Sequence, residues 1–484
     1  MGVTTVNWQG RFAILGWGVS GKASAHALVK RGAQLCAFDG RAREDDQSEN
    51  DANVEFVSEA DSDALAQEVI DWKPDCIVVS PGIPAHHPIF SAAKNADIEL
   101  IGEVELAWRL QEDSEHAGRP WLCVTGTNGK TTTVGMLGAM LRAAGENAVE
   151  VGNIGLPICE AIDTDATVFA VELSSFQLHT VSTVSPLASV CLNVDADHLD
   201  WHGSAQAYAA DKAKVYHLTQ KACFYPASDI TVENMVAEAD VVEGARAIGL
   251  TLGIPSISQV GWVEDALVER AFVEKRHMQA QFLAEVDDLR VAYHDGVTDA
   301  ARMDATAAAG LARAFGVPPE AVAQGLRSFT PAHHRRAVIS HAADVTWIDD
   351  SKATNAHAAV ASLSGITPGT AVWIAGGDTK GQEFGDLVAR VAPLLRGVVV
   401  IGKDRSAIVN ALRQRAPQIP FVEVDGHEDW MFSVVNEAVA LSRPGDTVVL
   451  APACASWDQF RSYAQRGDVF RDAVKRLEAN WAAQ

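Results

Sequence analysis

The feature that most constrains this chain is a short apolar run, Trp121 to Val124, leading into Thr125-Gly126-Thr127-Asn128-Gly129-Lys130-Thr131-Thr132. Behind the turn Val134, Leu137 and Leu141 share one face of a helix. Strand, glycine turn and helix in that order make a βα unit, which needs a sheet to belong to. The glycines let successive N–H groups face a polyphosphate at the helix N-terminus, Lys130 adds a point charge for its outer phosphates, and Thr131 can reach a magnesium ion. The spacing departs from the common phosphate loop, which has a glycine where this chain has Val124.

Further apolar strands follow: Val168 to Val171 closes at Glu172, and Ala188 to Leu192 runs into Asn193, Asp195, Asp197 and His198. Ligands bind past the carboxyl ends of strands in open α/β sheets, so this edge is the candidate site and Glu172 a candidate metal ligand. His198 by itself reads as a packed or surface histidine. Lys212, one helical turn after Tyr208, reads by spacing alone as a solvated lysine.

Upstream, Phe12 to Leu15, Gly16-Trp17-Gly18-Val19-Ser20-Gly21, a helical stretch to Val29 and Gln34 to Phe38 with Asp39 form a βαβ pattern with a GxGxxG turn. That turn suits NAD, its ribose on Asp39, or any other nucleotide diphosphate. Cys76 to Ser80 reads as a buried strand before the turn Pro81-Gly82-Ile83-Pro84, and the polar stretch Gln111 to Arg119 as a linker.

Residues 225–300 carry little pattern. Ala305 to Phe315 reads as a helix stopped by Gly316-Val317-Pro318-Pro319, with a boundary near Pro331. Beyond it, strands at Val345 to Ile348, Ala371 to Ala375, Val398 to Ile401 and Thr447 to Leu450 alternate with helical stretches. His334-Arg335, Asp349 to Asn355, Gly376 to Lys380 and Ser456 to Phe460 fall at or near strand ends, a pattern suited to gripping a small acid and a nucleotide. The expected fold is α/β in three domains: Rossmann-like over 1–110, P-loop-like over 111–330 and Rossmann-like again over 331–484.

With 39 basic and 63 acidic residues the chain carries a net charge of −24, which repels a phosphate backbone and anionic lipid. Neither nucleic acid nor a membrane is an expected partner. The 7 cysteines include no CxxC pair, which suits reduced thiols in a cytoplasmic protein.

Taken together, these segments resemble the Mur ligases of peptidoglycan synthesis. The loop from Thr125 to Thr132 resembles the family's ATP loop, which also lacks the first glycine. Asp350-Ser351-Lys352-Ala353-Thr354-Asn355, Pro452 to Ser456, Asp458-Gln459-Phe460 and Arg466-Gly467-Asp468 resemble the D-glutamate-adding branch.

The resemblance implies a monomer with domains for a UDP-sugar, for ATP and for an amino acid. It places Gly16, Gly18, Val19, Ser20, Asp39, Ser80, Gly82 and Asn153 around UDP-N-acetylmuramoyl-L-alanine. Gly126, Thr127, Asn128, Gly129, Lys130, Thr131 and Thr132, with Arg335 and Asp350, would bind ATP. Lys352, Thr354, Lys380, Ser456 and Tyr463 would surround D-glutamate; the family often has phenylalanine at the last position. Lys130, Glu172, His198 and Lys212 would be catalytic. Two Mg²⁺ ions are implied, one on Thr131 and Glu172, the other on His198 and a carbamate of Lys212. One departure stands out: relatives carry an asparagine near the adenine where this chain's nearest match is Asp304.

The reaction so implied passes the γ-phosphoryl of ATP to the alanine carboxylate, and the D-glutamate amine then displaces phosphate. Three rivals remain at this point: an NAD-dependent oxidoreductase, an ATPase acting as a partner switch, and a Mur ligase adding another amino acid.

Overall fold

The computed structural model describes residues 7–41, 54–195, 197–293, 296–331, 333–426 and 429–482, the side chains of residues 200 and 482 excepted. These residues form three sheets.

The first sheet contains β1 (Arg11–Leu15), β2 (Gln34–Asp39), β3 (Glu55–Ser58), β4 (Cys76–Val79) and β5 (Glu99–Gly102). All are parallel, in the order β3-β2-β1-β4-β5. The runs Phe12 to Leu15 and Cys76 to Val79 are buried throughout, as expected where helices cover both faces. The chain reverses its direction of travel between β1 and β4, so the crevice beyond their carboxyl ends is a switch point.

The second sheet begins with β6 (Trp121–Thr125), β7 (Ala148–Gly152), β8 (Val168–Glu172), β9 (Ala188–Cys191) and β10 (Ala222–Pro226). It continues with β11 (Arg246–Leu250), β12 (Gln259–Val263), β13 (Ala266–Glu269) and β14 (Gln281–Glu285), in the order β14-β13-β12-β11-β10-β9-β6-β8-β7. The pairs from β7 to β12 are parallel, whereas β12, β13 and β14 form an antiparallel meander. The meander is the stretch that lacked pattern. Its strands leave Val263 and Phe282 exposed at 39% and 47%, which blurs the alternation a half-buried strand should show.

A third sheet holds β15 (Ala337–Ser340), β16 (Thr346–Asp349), β17 (Ala371–Gly376), β18 (Leu395–Ile401), β19 (Phe421–Glu423) and β20 (Thr447–Leu450). Its order is β15-β16-β20-β17-β18-β19, with only β15 antiparallel to its neighbour. The returning strand β20 lies between β16 and β17, so the loops after these three strands share one edge.

By its contacts the chain divides into two compact units, residues 1–291 with 301–329, and residues 330–484 with 292–300. The first two sheets thus share a unit and a core, in which Trp108 meets Trp121 edge to face at 5.1 Å.

The stretch Gln111 to Arg119, expected as a linker, instead stitches this core. Gln111 is fully buried, accepts from the Trp121 indole at 2.9 Å and donates to the Arg119 carbonyl at 3.1 Å. Arg119, also buried, donates to the carbonyls of Ile162 and Thr164. The polar side chains face inward because buried backbone acceptors need donors. Glu105, just upstream, accepts from the N–H and hydroxyl groups of both Ser182 and Thr183.

The alanine-rich helix spans Asp299–Phe315 and so starts before Ala305. Ala300 to Asp304 are helical, with an acidic residue suitably in the first turn. All 7 cysteines are buried and unpaired. Among the described residues no helix is long and apolar enough to cross a membrane.

Candidate active site

The helix Lys130–Ala143 rises from the end of β6 through Gly129, whose φ of +87° is left-handed. A Cβ at Gly129 would stand 2.4 Å from Oδ1 of Asp304, so both the turn and its neighbour require glycine. Adjacent strands fix the rest of the loop. Thr127 Oγ1 is 2.9 Å from the Tyr208 hydroxyl, and Asn193, past β9, accepts from the Asn128 N–H at 2.9 Å.

Two ammonium groups converge on this loop. Lys130 Nζ donates to the carbonyls of Gly126 at 2.8 Å and Thr127 at 3.0 Å, and Lys212 Nζ donates to the same Gly126 oxygen at 2.8 Å. Lys212 is not the solvated lysine its spacing suggests: it is 2% exposed, with Nζ 4.7 Å from the Tyr208 ring centre. Burial first, and then the Lys130 charge, lower its pKa to about 7. Such an arrangement asks for an anion.

Glu172, at the end of β8, is buried rather than solvated. One carboxylate oxygen accepts from Thr131 Oγ1 at 2.7 Å and the other from Asn153 Nδ2 at 2.8 Å. A hydroxyl and a carboxylate side by side are hard oxygen donors, and these residues therefore fit Mg²⁺. Among the described residues no group of three or more His, Cys, Asp or Glu side chains is arranged to hold a metal ion.

His198 sits at a left-handed φ of 52°, its Nε2 3.6 Å from Asp197 and its ring 4.7 Å from that of Phe176. Phe176 lies beside Trp201 and His202, an aromatic group that borders a cleft between the first two sheets. Ser80, Pro81, Gly102, Glu103, His179 and Thr180 line the same cleft.

At the first sheet's switch point the Ser80 hydroxyl donates to the Gly16 carbonyl at 2.7 Å, joining the ends of β1 and β4. Asp39 accepts from the Trp17 N–H at 2.7 Å and the Arg41 N–H at 2.9 Å. Gly18 caps the helix Val19–Val29, and Val19 is 73% exposed at its start. Ser20 lies in its first turn, and Gly82 in the turn after β4.

Sequence reasoning missed one buried cluster beside Lys212. Asp211 Oδ2 is 2.8 Å from His179 Nδ1 and 3.0 Å from His202 Nδ1, Oδ1 is 2.9 Å from Lys214, and His202 Nε2 is 3.0 Å from Ser175 Oγ. The signal available was the dipeptide Asp211-Lys212, opposite charges adjacent in a helix that must bury one side. Burial lowers the His202 pKa, which keeps that ring neutral.

In the other unit, Lys352 stands 4.1 Å over the Tyr463 ring. Burial raises the pKa of Asp350 to about 6, while the Arg335 charge opposes that rise. Thr354 follows Lys352 in the same tight loop, its N–H on the Lys352 carbonyl at 2.7 Å. Lys380 is exposed at φ 47°, its N–H held by Asp378, and Ser456 is buried. Asp304, the departure noted above, lies in the first unit, 3.4 Å from the Thr133 hydroxyl at the phosphate loop.

Family profiles match three stretches: a Mur ligase MurD-like N-terminal domain over residues 10–102, a Mur ligase middle domain over 124–249, and a Mur ligase glutamate ligase domain over 334–454. A UDP-N-acetylmuramoylalanine–D-glutamate ligase of Streptomyces coelicolor is 47% identical, covering 96% of this chain and 98% of its own. One from Thermobifida fusca is 44% identical with the same coverage of both chains. Among solved structures, the MurF ligase of Thermotoga maritima in complex with ADP superposes with a TM-score of 0.58 at 15% identity, covering 98% of this chain and 99% of its own. A pseudomurein peptide ligase type C from Methanothermus fervidus gives 0.57 at 14%, covering 97% and 100%.

Proposed function

The chain belongs to the Mur ligase family, and we propose that it joins D-glutamate to UDP-N-acetylmuramoyl-L-alanine with cleavage of ATP to ADP and phosphate. The observation that carries this is the convergence of Lys130 and Lys212 on Gly126, beside Glu172, Thr131 and Asn153. The dehydrogenase reading of the GxGxxG turn loses its support, since that turn belongs to the stretch matched by the MurD-like domain.

A carboxylate resists acylation because its oxygen is a poor leaving group. Transfer of the γ-phosphoryl to the alanine carboxylate makes phosphate the leaving group, and the D-glutamate nitrogen then bonds to the carbonyl carbon as phosphate departs. The first step brings two anions together. Lys130 would leave its loop carbonyls for the outer phosphates, and the N–H groups of the Gly126–Thr132 loop would hold the charge that spreads in the transition state. Glu172 and Thr131 would hold Mg²⁺, which supplies charge neutralisation across the phosphates.

With a pKa of about 7 the Lys212 amine is neutral in a large fraction of molecules. A neutral amine adds CO₂ with loss of a proton, and the resulting carbamate would offer oxygen ligands to a second Mg²⁺ together with His198. Gly16, Gly18, Val19, Ser20, Asp39, Ser80, Gly82 and Asn153 would receive the UDP-sugar, Arg335 and Asp350 would complete the ATP site, and Lys352, Thr354, Lys380, Ser456 and Tyr463 would take the amino acid. Correspondingly, we assign 1–110 to the nucleotide sugar, 111–330 to ATP and 331–484 to D-glutamate, in a cytoplasmic monomer.

The test is phosphate release across a panel of amino acids. Release that needs both UDP-N-acetylmuramoyl-L-alanine and D-glutamate is expected. Release with ATP alone would indicate a switch ATPase, and preference for another amino acid a different Mur ligase.

A further inference from the structure

Arg466 is 1% exposed, and its guanidinium uses every one of its five N–H donors on neutral oxygens. Nε donates to Ser351 Oγ at 3.0 Å and Nη2 to the Ser351 carbonyl at 2.8 Å. Nη1 and Nη2 both reach the Cys454 carbonyl at 3.2 Å, and Nη1 also reaches that of Ala455 at 3.3 Å. Ser351 lies in the loop after β16, and Cys454 and Ala455 lie in the loop after β20.

The loop after β17 is held in the same place. Gly377 has φ +137°, and a Cβ there would stand 2.3 Å from the Ala455 carbonyl and 3.2 Å from Arg466 Nη1. The next residue, Asp378, exchanges both backbone hydrogen bonds with Ala455 at 2.9 Å. A single buried cation thus bridges two loops that are distant in sequence, and a third is bonded to one of them. These loops carry Lys352 and Thr354, Lys380, and Ser456. The Ser351 hydroxyl extends the tie by donating to the Tyr463 carbonyl at 2.7 Å.

We propose that Arg466 is the positioning residue of the amino-acid pocket, setting the mutual spacing of Lys352, Lys380 and Ser456 by bridging the loops after β16 and β20, against which the loop after β17 packs. The inference rests on the D-glutamate reading above and adds to it a residue that touches no substrate, since it has no donor left to offer. Planarity matters here as much as charge: a lysine keeps the cation but offers three donors from one point and cannot span two loops.

Arg466→Lys is therefore expected to raise the KM for D-glutamate by about tenfold or more, as small misplacements of binding groups do, with the KM for ATP unchanged. Ser351→Ala, which removes one acceptor of the bridge and its link to Tyr463, should raise the same KM by a smaller factor and keeps the test alive if Arg466→Lys does not fold. A D-glutamate KM within twofold of wild type in folded Arg466→Lys would overturn the inference. So would an equal rise in the KM for all three substrates. The underlying reading is checked separately on the wild-type chain: if phosphate release there does not depend on D-glutamate, that reading fails, whatever the variants do.

Discussion

The phosphate loop and the proposed amino-acid site both gather cations in a chain of net charge −24, yet they are built in opposite ways. At the loop, the main elements come from eight consecutive residues, and two ammonium groups press on a single backbone oxygen. In the third sheet, the cations sit on separate strand-end loops and a guanidinium that faces no ligand sets their spacing. The contrast teaches that a polyanion held through backbone N–H groups can be encoded locally, whereas a small dicarboxylate needs side chains brought together from distant segments.

The largest effect should come from removing either loop cation. Lys130→Ala and Lys212→Ala are each expected to lower ligation by about a thousandfold or more, with the fold retained, in a phosphate-release assay. A Lys212 variant with wild-type rates would remove that residue from the mechanism. Next, Lys380→Ala should raise the KM for D-glutamate by roughly tenfold, the worth of a charged contact, and leave the KM for ATP in place. Unchanged glutamate kinetics would break the comparison on its second side.

A smaller and purely thermodynamic signature belongs to Lys212. Its pKa is 10.5 as a free side chain and about 7 in the fold, so between those values the unfolded chain holds a proton that the folded chain lacks. Stability should accordingly rise with pH across that window, by up to about 1.4 kcal/mol per pH unit from this group. Denaturant titrations at pH 7 and 9 on wild type and Lys212→Met would show it; equal pH slopes in the two would exclude it. The smallest effect is expected of Tyr463→Phe, which keeps the ring under Lys352 and should change the D-glutamate KM by less than about twofold.

The same contrast explains what was legible in the sequence. Strand, turn, lysine and helix at 121–141 are neighbours along the chain, and the α/β class follows from strands that alternate with helical stretches. The depth of Lys212 was hidden, because spacing tells which face of a helix a residue occupies and not how far that face is covered. The polar stretch from Gln111 to Arg119 reads as a linker because sequence cannot tell that buried carbonyls await its two end residues. Arg466 was equally opaque: its partners are mostly main-chain oxygens, which every residue possesses. The antiparallel meander after β11 escaped because its apolar residues face outward as well as inward.

The bonds that Gln111 and Arg119 make have a mechanical consequence. Parting the first two sheets would mean breaking several buried contacts together, including the Gln111 bonds to Trp121 and Arg119 and the meeting of Trp108 with Trp121.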